Sequence, residues 1–366
     1  MVKLKEITRF LDELAPLSLQ EDYDNSGMII THEQDSIRGI LITLDVTEEV
    51  VDEAVSADCN LIVSHHPVIF KGLKRLSPAD HTGRAILKAV KNNIHIYSIH
   101  TNFDNVRNGV NGFIADRIGL TGTRVLLPRE NVFRKVVTFC PKEDTRKILD
   151  AIHLAGAGII GNYEQCSFRV TGTGSFKPNE RANPYIGKNQ ELEESPEDRI
   201  EVQFPIWIQD AVLDALIHSH PYEEPAYYIQ ETKNISREFG AGIIGSLPAP
   251  ADPESFISLV KEKLELKSVR YTQVNEKKQI LKVAACGGSG SFLLKNAMNS
   301  GADAFITSDI KYHEFFDTEG KILMLDIGHY ESEKYTKDLL HGLLNEKFSN
   351  IALRLSKVDT NPVRYT

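Results

Sequence analysis

Two imidazoles stand side by side in Ser64-His65-His66-Pro67, directly behind the apolar run Cys59-Asn60-Leu61-Ile62-Val63. The run reads as a short buried strand, and the proline holds His66 extended. Neighbouring strand side chains point to opposite faces. Both rings therefore serve one site only if the chain turns there, or if two metal ions lie between them. Partners for such a pair exist elsewhere in the chain. His329 and Glu333 are four residues apart at the start of the last predicted helix, which puts them on one face with Cβ atoms roughly 5–6 Å apart. An imidazole nitrogen and a carboxylate so placed can hold one ion, although the same spacing suits an ordinary polar pair. Asp104 follows a strand, where it either shapes a turn or adds the negative charge that divalent cations need.

Together His65, His66, Asp104, His329 and Glu333 offer three imidazoles and two carboxylates. That is too few donors to fill two coordination shells, so positions stay open for water. Two ions about 3.5–4 Å apart, bridged by carboxylate or hydroxide, are an arrangement used by hydrolases. With no thiolate in the set, a pair of divalent ions drawn from Zn, Mn, Fe, Co or Ni suits it.

The elements that must position these groups follow a clear rhythm. Gly39-Ile40-Leu41-Ile42-Thr43-Leu44 reads as a strand ending at Asp45, and Thr47 caps a helix over Glu48–Ser56. The strand at 61–63 carries the histidine pair, and a helix at about 83–92 leads to the strand Ile94-His95-Ile96-Tyr97-Ser98-Ile99-His100. Alternating strands and helices are the grammar of an α/β sheet, and in such sheets chemistry gathers beyond the carboxyl ends of the strands. Asp45, His65, His66 and Asp104 all lie at such ends. After Leu127-Pro128 the order becomes strand, helix, strand, strand, helix, strand, which predicts a small ferredoxin-like α+β unit. The α/β character resumes at Gly242, with strands near 280–286, 304–307 and 322–326 and a closing helix at 331–346. The expected fold is α/β: a discontinuous domain at 1–127 and 236–366, with an inserted domain at 128–235.

Composition narrows the class. A chain of 366 residues can build two or three cores, and 41% hydrophobic with 25% charged residues is ordinary for a globular protein. A net charge of −9 argues against a general grip on nucleic-acid backbones. Cys59, Cys140, Cys166 and Cys286 are scattered without a C-x-x-C pair, which suits a reducing compartment and no disulfide framework. Met1-Val2-Lys3-Leu4-Lys5-Glu6 begins an amphipathic helix and not a signal peptide. No apolar run approaches the roughly 20 residues that span a bilayer. The expected location is the cytoplasm.

Four segments carry a resemblance: Ser64-His65-His66-Pro67, His100-Thr101-Asn102-Phe103-Asp104-Asn105, Thr307-Ser308-Asp309-Ile310-Lys311-Tyr312-His313 and Gly328-His329-Tyr330-Glu331-Ser332-Glu333. In combination they resemble the NIF-three-like family, whose members are often labelled GTP cyclohydrolase I type 2 homologues. Cys286-Gly287-Gly288-Ser289-Gly290 also fits that pattern, and the middle segment is similar to the PII/CutA-like domain inserted in longer bacterial members. The resemblance implies a dinuclear site from His65, His66, Asp104, His329 and Glu333, within a homohexameric ring built from trimers. Ser308 departs from the glycine that many members carry there.

Other residues have two readings each. His100, Asp309 and His313 are candidate catalytic groups, with His100 or Asp309 moving protons. Alternatively His100 is a core histidine, and Asp309 and His313 form a turn or hydrogen-bond a ligand imidazole. Asp24 and Asn25 either brace the site or make their own turn. The loop Gly287-Gly288-Ser289-Gly290 lacks a P-loop lysine and reads as a packing turn before an anion cradle. His218, His220 and Glu223-Glu224, around Pro221, have the look of a second metal motif. The functional expectation is a dinuclear metallohydrolase opening the guanine ring of GTP, or a phosphoesterase acting on a nucleotide-like small molecule. Its rival is a non-catalytic metal-binding regulator or scaffold whose inserted domain senses a small effector.

Overall fold

The computed structural model describes residues 2–366. They divide into two compact units, Met1–Pro128 with Arg237–Thr366, and Arg129–Ser236.

The discontinuous unit holds two large sheets and a small antiparallel pair, Val2–Lys3 with Ser36–Ile37. The five-stranded one runs Ala352–Leu355, Gly39–Thr43, Leu61–Ser64, His95–Ser98, Gly27–Ile30. Its first four strands are parallel and the last is antiparallel. Pairing Thr43 with Ser64, and Ser64 with Ser98, brings three carboxyl ends level. The six-stranded sheet has parallel strands Leu323–Asp326, Ala304–Thr307 and Ile280–Ala285 at its heart, flanked by antiparallel Arg270–Tyr271, Gly240–Ala251 and Thr121–Pro128.

Alternate residues of these strands enter different cores, as strands covered on both faces should. Ile40, Ile42, Leu61 and Val63 share one core with Val283, Ala285, Ile306 and Leu325 of the other sheet. Leu41, Ile62 and Ile96 face the helices Glu48–Ser56 and His81–Lys91, meeting Val50, Val51, Ala54, Ile86 and Ala89. Both helices start on side-chain caps: Thr47 accepts the Val50 N–H at 3.3 Å and Asp80 the Gly83 N–H at 2.7 Å. The predicted closing helix is broken into His329–Glu333 and Thr336–Lys347, so the ligand pair has a short turn of its own.

The second unit is an antiparallel sheet ordered Tyr227–Glu231, Phe133–Pro141, Glu193–Pro205, Phe168–Phe176. Helices Thr145–Leu154 and Gln209–Ser219 share a core with it through Ile148, Ile152, Val212 and Leu216 against Val136, Ile200, Val202 and Phe204. Strand, helix, strand, strand, helix, strand is the ferredoxin-like order. All four cysteines are free, and no described helix is long and apolar enough to cross a membrane.

Candidate metal centre

The level strand ends of the five-stranded sheet deliver Asp45, His65, His66 and His100 to one place, and the turn after Asp326 delivers His329 and Glu333. Asp104 ends the one-turn helix Thr101–Asp104. His65, His66 and His100 present ligand atoms within 4.8 Å of one another, and so do His66, His329 and Glu333, and His65, Asp104 and Glu333. All five residues expected as ligands therefore converge, with His100 beside them.

Each ring is fixed by its outer nitrogen, Nδ1. In His65 it meets the Ile99 carbonyl at 2.8 Å, in His66 Asp45 at 2.7 Å, in His100 Asp24 at 2.7 Å, and in His329 Asp309 at 2.7 Å. With Nδ1–H donating to an oxygen, a neutral imidazole keeps a bare lone pair on Nε2. Three of those inner nitrogens gather round Glu333. Its Oε2 lies 3.0 Å from His66 Nε2 and 3.1 Å from His329 Nε2, while Oε1 lies 3.8 Å from His65 Nε2.

One half of the cluster can be satisfied by protons alone. Burial opposes charge on His66, but hydrogen bonds to Asp45 and Glu333 outweigh it and lift the ring to about 10. His329 is raised to about 9, again against burial, by Glu333 and Asp309. Glu333 is held well below the ordinary carboxylate range despite its burial, because these imidazoles surround it. The other half is not so served. His65 Nε2 and Asp104 Oδ1 are buried, face each other at 3.7 Å, and have no hydrogen-bond partner among the described residues. Burial and the facing Glu333 carboxylate push Asp104 up to about 7, outweighing the opposite pull of His100 and His66. Buried imidazole and carboxylate atoms left unpaired are costly. A cation among His65, Asp104 and Glu333 would answer both, so the donor set fits a metal.

The surroundings are built to hold this geometry. Asp24 braces the site: besides His100 it accepts from the Thr101 N–H at 3.1 Å and the Thr101 hydroxyl at 2.5 Å, and its acidity is strengthened accordingly. Gly288, at φ +59°, leaves room for Glu333, since a Cβ there would stand 2.4 Å from Oε1. The glycine loop is thus a packing turn against the site. Ser308 is buried and donates to the Gly288 carbonyl at 2.5 Å, tying its turn to the glycine loop. Asp309 orients His329 and also accepts from Ser289 at 3.0 Å. His313 is not brought to the site. It sits on an exposed 3₁₀ turn, Tyr312–Thr318, with Tyr312 and Phe316 as its ring neighbours. Sequence reasoning missed Thr360, whose hydroxyl donates to Asp45 Oδ2 at 2.5 Å. A polar turn near the chain end carries no signal for such a contact.

The second histidine motif is not a metal set. His220 Nε2 meets the Phe139 carbonyl at 2.9 Å and its Nδ1 accepts the Tyr222 N–H at 3.1 Å, so both ring nitrogens are occupied. His218 turns to the Asp214 carbonyl at 2.7 Å on its own helix.

The family model for Duf34/NIF3 (NGG1p interacting factor 3) matches residues 2–362. The chain belongs to this family. It is 36% identical over 367 residues to a Bacillus subtilis protein named GTP cyclohydrolase 1 type 2 homolog, covering 99% of this chain and 98% of that one. A Staphylococcus epidermidis protein of the same name is 37% identical over 370 residues, covering both chains fully. The crystal structure of a Bacillus cereus protein related to NIF3 superposes with a TM-score of 0.86 at 34% identity, over 100% of this chain and 99% of that one.

Proposed function

We propose that the chain is a divalent-metal-dependent hydrolase of a small nucleotide-like molecule. The facing, unpartnered His65 Nε2 and Asp104 Oδ1 carry this reading. One ion would be held by His66, His329 and Glu333, and another by His65, Asp104 and Glu333. Bound there, the ions would supply Lewis acidity and an activated water. Asp45, Asp309 and the Ile99 carbonyl keep the imidazoles aimed inward. His100, fixed by Asp24, would move a proton at its inner nitrogen.

The site opens into a cavity of about 430 Å3 whose mouth carries the exposed rings of Tyr23, Phe70 and Phe292. Such rings suit a planar heterocycle. The names of the relatives favour GTP, a phosphodiester is the next substrate to try, and the homohexameric ring implied by the resemblance remains part of the proposal. Purified protein loaded in turn with Mn, Zn or Fe is incubated with GTP and with a chromogenic phosphodiester. Turnover that disappears in His66→Ala is expected. No turnover of either substrate with any of these metals would reject the hydrolase.

A further inference from the structure

The motif His220-Pro221-Tyr222-Glu223-Glu224-Pro225 helps to line a separate cavity of about 590 Å3 in the 129–236 unit. That volume lies within the roughly 300–1,000 Å3 of small-molecule sites. Its walls are aromatic. Tyr222 stands with its ring centroid 6.0 Å from Phe176 and 6.2 Å from Tyr185, and Phe139 crosses Tyr228 at 6.1 Å and 84°. Tyr185 and Tyr228 are 57% and 58% exposed, so their faces stand open to a guest.

The charges point one way. Glu197 is only 8% exposed, and one of its oxygens accepts the Tyr222 hydroxyl at 2.6 Å. Its other oxygen lies against Gly174, where a Cβ would come within 2.0 Å. Glu223 and Glu224 add two more carboxylates to the lining. Arg199 also lines the cavity, but its guanidinium is engaged by Glu201 at 2.9 and 2.8 Å. Lys177 is the other cation among the described lining residues, so three carboxylates stand against two cations and negative charge is in surplus. Aromatic faces beside carboxylates are the setting that holds ammonium groups. A free phosphate or a second carboxylate would be repelled.

We propose that this cavity binds a small organic cation, with its ammonium group against the rings of Tyr185, Tyr222 and Tyr228 and with Glu197 as counter-charge. The inference is independent of the metal centre, and its readout needs no turnover. Isothermal titration of the full chain with choline and with putrescine is compared with 3,3-dimethylbutan-1-ol, the uncharged counterpart of choline. Saturable binding of at least one cation is expected, with none of the alcohol. Glu197→Gln should weaken that binding about tenfold or more, the loss of one charge partner costing over 1 kcal/mol. If Glu197→Gln fails to fold, Tyr185→Leu, at an exposed ring outside the core, takes its place and should weaken binding likewise. Equal binding of the alcohol, no binding of either cation by the wild type, or unchanged affinity in the folded variant would overturn the proposal. Absence of cation binding together with a change of particle mass in Tyr228→Leu would assign this face to a second copy of the chain instead.

Discussion

The metal centre and the aromatic cavity of the 129–236 unit both gather histidine and carboxylate beside a proline, and they use them differently. In the centre, each histidine spends Nδ1 on an oxygen behind it and leaves Nε2 facing its neighbours. In the second unit, His220 spends both nitrogens, on the Phe139 carbonyl and the Tyr222 N–H. Glu197 there meets a phenol, whereas Glu333 meets three imidazoles. Two motifs of similar composition thus part on whether a buried nitrogen is left without a partner. Histidine and carboxylate side by side mark a ligand set only where the inner atom is unspent.

The largest expected break in this comparison comes from Glu333→Ala. It removes the group common to both proposed ligand sets, so metal affinity should fall by about 100-fold or more, beyond the 10–100-fold typical of supporting residues. Elemental analysis after dialysis reads this, and His220→Ala should leave the metal content unchanged. Asp45→Asn comes next. It keeps the shape behind His66 but not the charge, and a loss of roughly 10–100-fold in metal affinity is expected from equilibrium titration; retention of full affinity would mean that Asp45 does not tune the ring.

pH sharpens the contrast further. Without a metal, Asp45 and Glu333 hold His66 up at about 10 and Glu333 and Asp309 hold His329 up at about 9, against burial and above the ordinary value of 6.5. Raised histidines stabilise the fold fully below about 6.5 and lose that contribution as pH climbs through their folded values. Chelated protein should therefore melt lower at pH 10 than at pH 7, by at least roughly 2–4 °C if 1 kcal/mol is involved. Metal-loaded protein should not lose stability over this range through the same two groups, because ligation requires neutral imidazoles and metal affinity rises as they deprotonate. Parallel melting curves for the two forms would contradict this. His220→Ala should act on stability and not on metal content. Leaving a carbonyl and an N–H short of partners costs about 1–3 kcal/mol, which chemical denaturation of the full chain would detect.

Much of the site was legible because its ligands sit at strand ends, and strand ends can be read from apolar runs. His65, His66 and Asp104 follow such runs, and His329 and Glu333 share a face at helical spacing. The tie from Thr360 to Asp45 was not legible, since a contact across 315 residues leaves no periodic trace. Nor was the break between His329–Glu333 and Thr336–Lys347, where both halves have helical composition and only the packing at the site separates them. His313 was misread as a site candidate for a related reason. It lies close in sequence to Asp309, but Asp309 adopts φ +57° and the chain leaves on an exposed turn. The two histidine motifs are told apart by their hydrogen-bond partners, some of them far away in sequence, such as the Phe139 carbonyl at His220 and Asp45 at His66.

The proposed function requires two cations beside Glu333. Anomalous diffraction at the absorption edge of Mn or Zn, from crystals grown with that metal, tests it most directly. Two peaks are expected, one bounded by His66, His329 and Glu333, the other by His65, Asp104 and Glu333. A single peak at that place, none at all, or density beside His220 instead would contradict it.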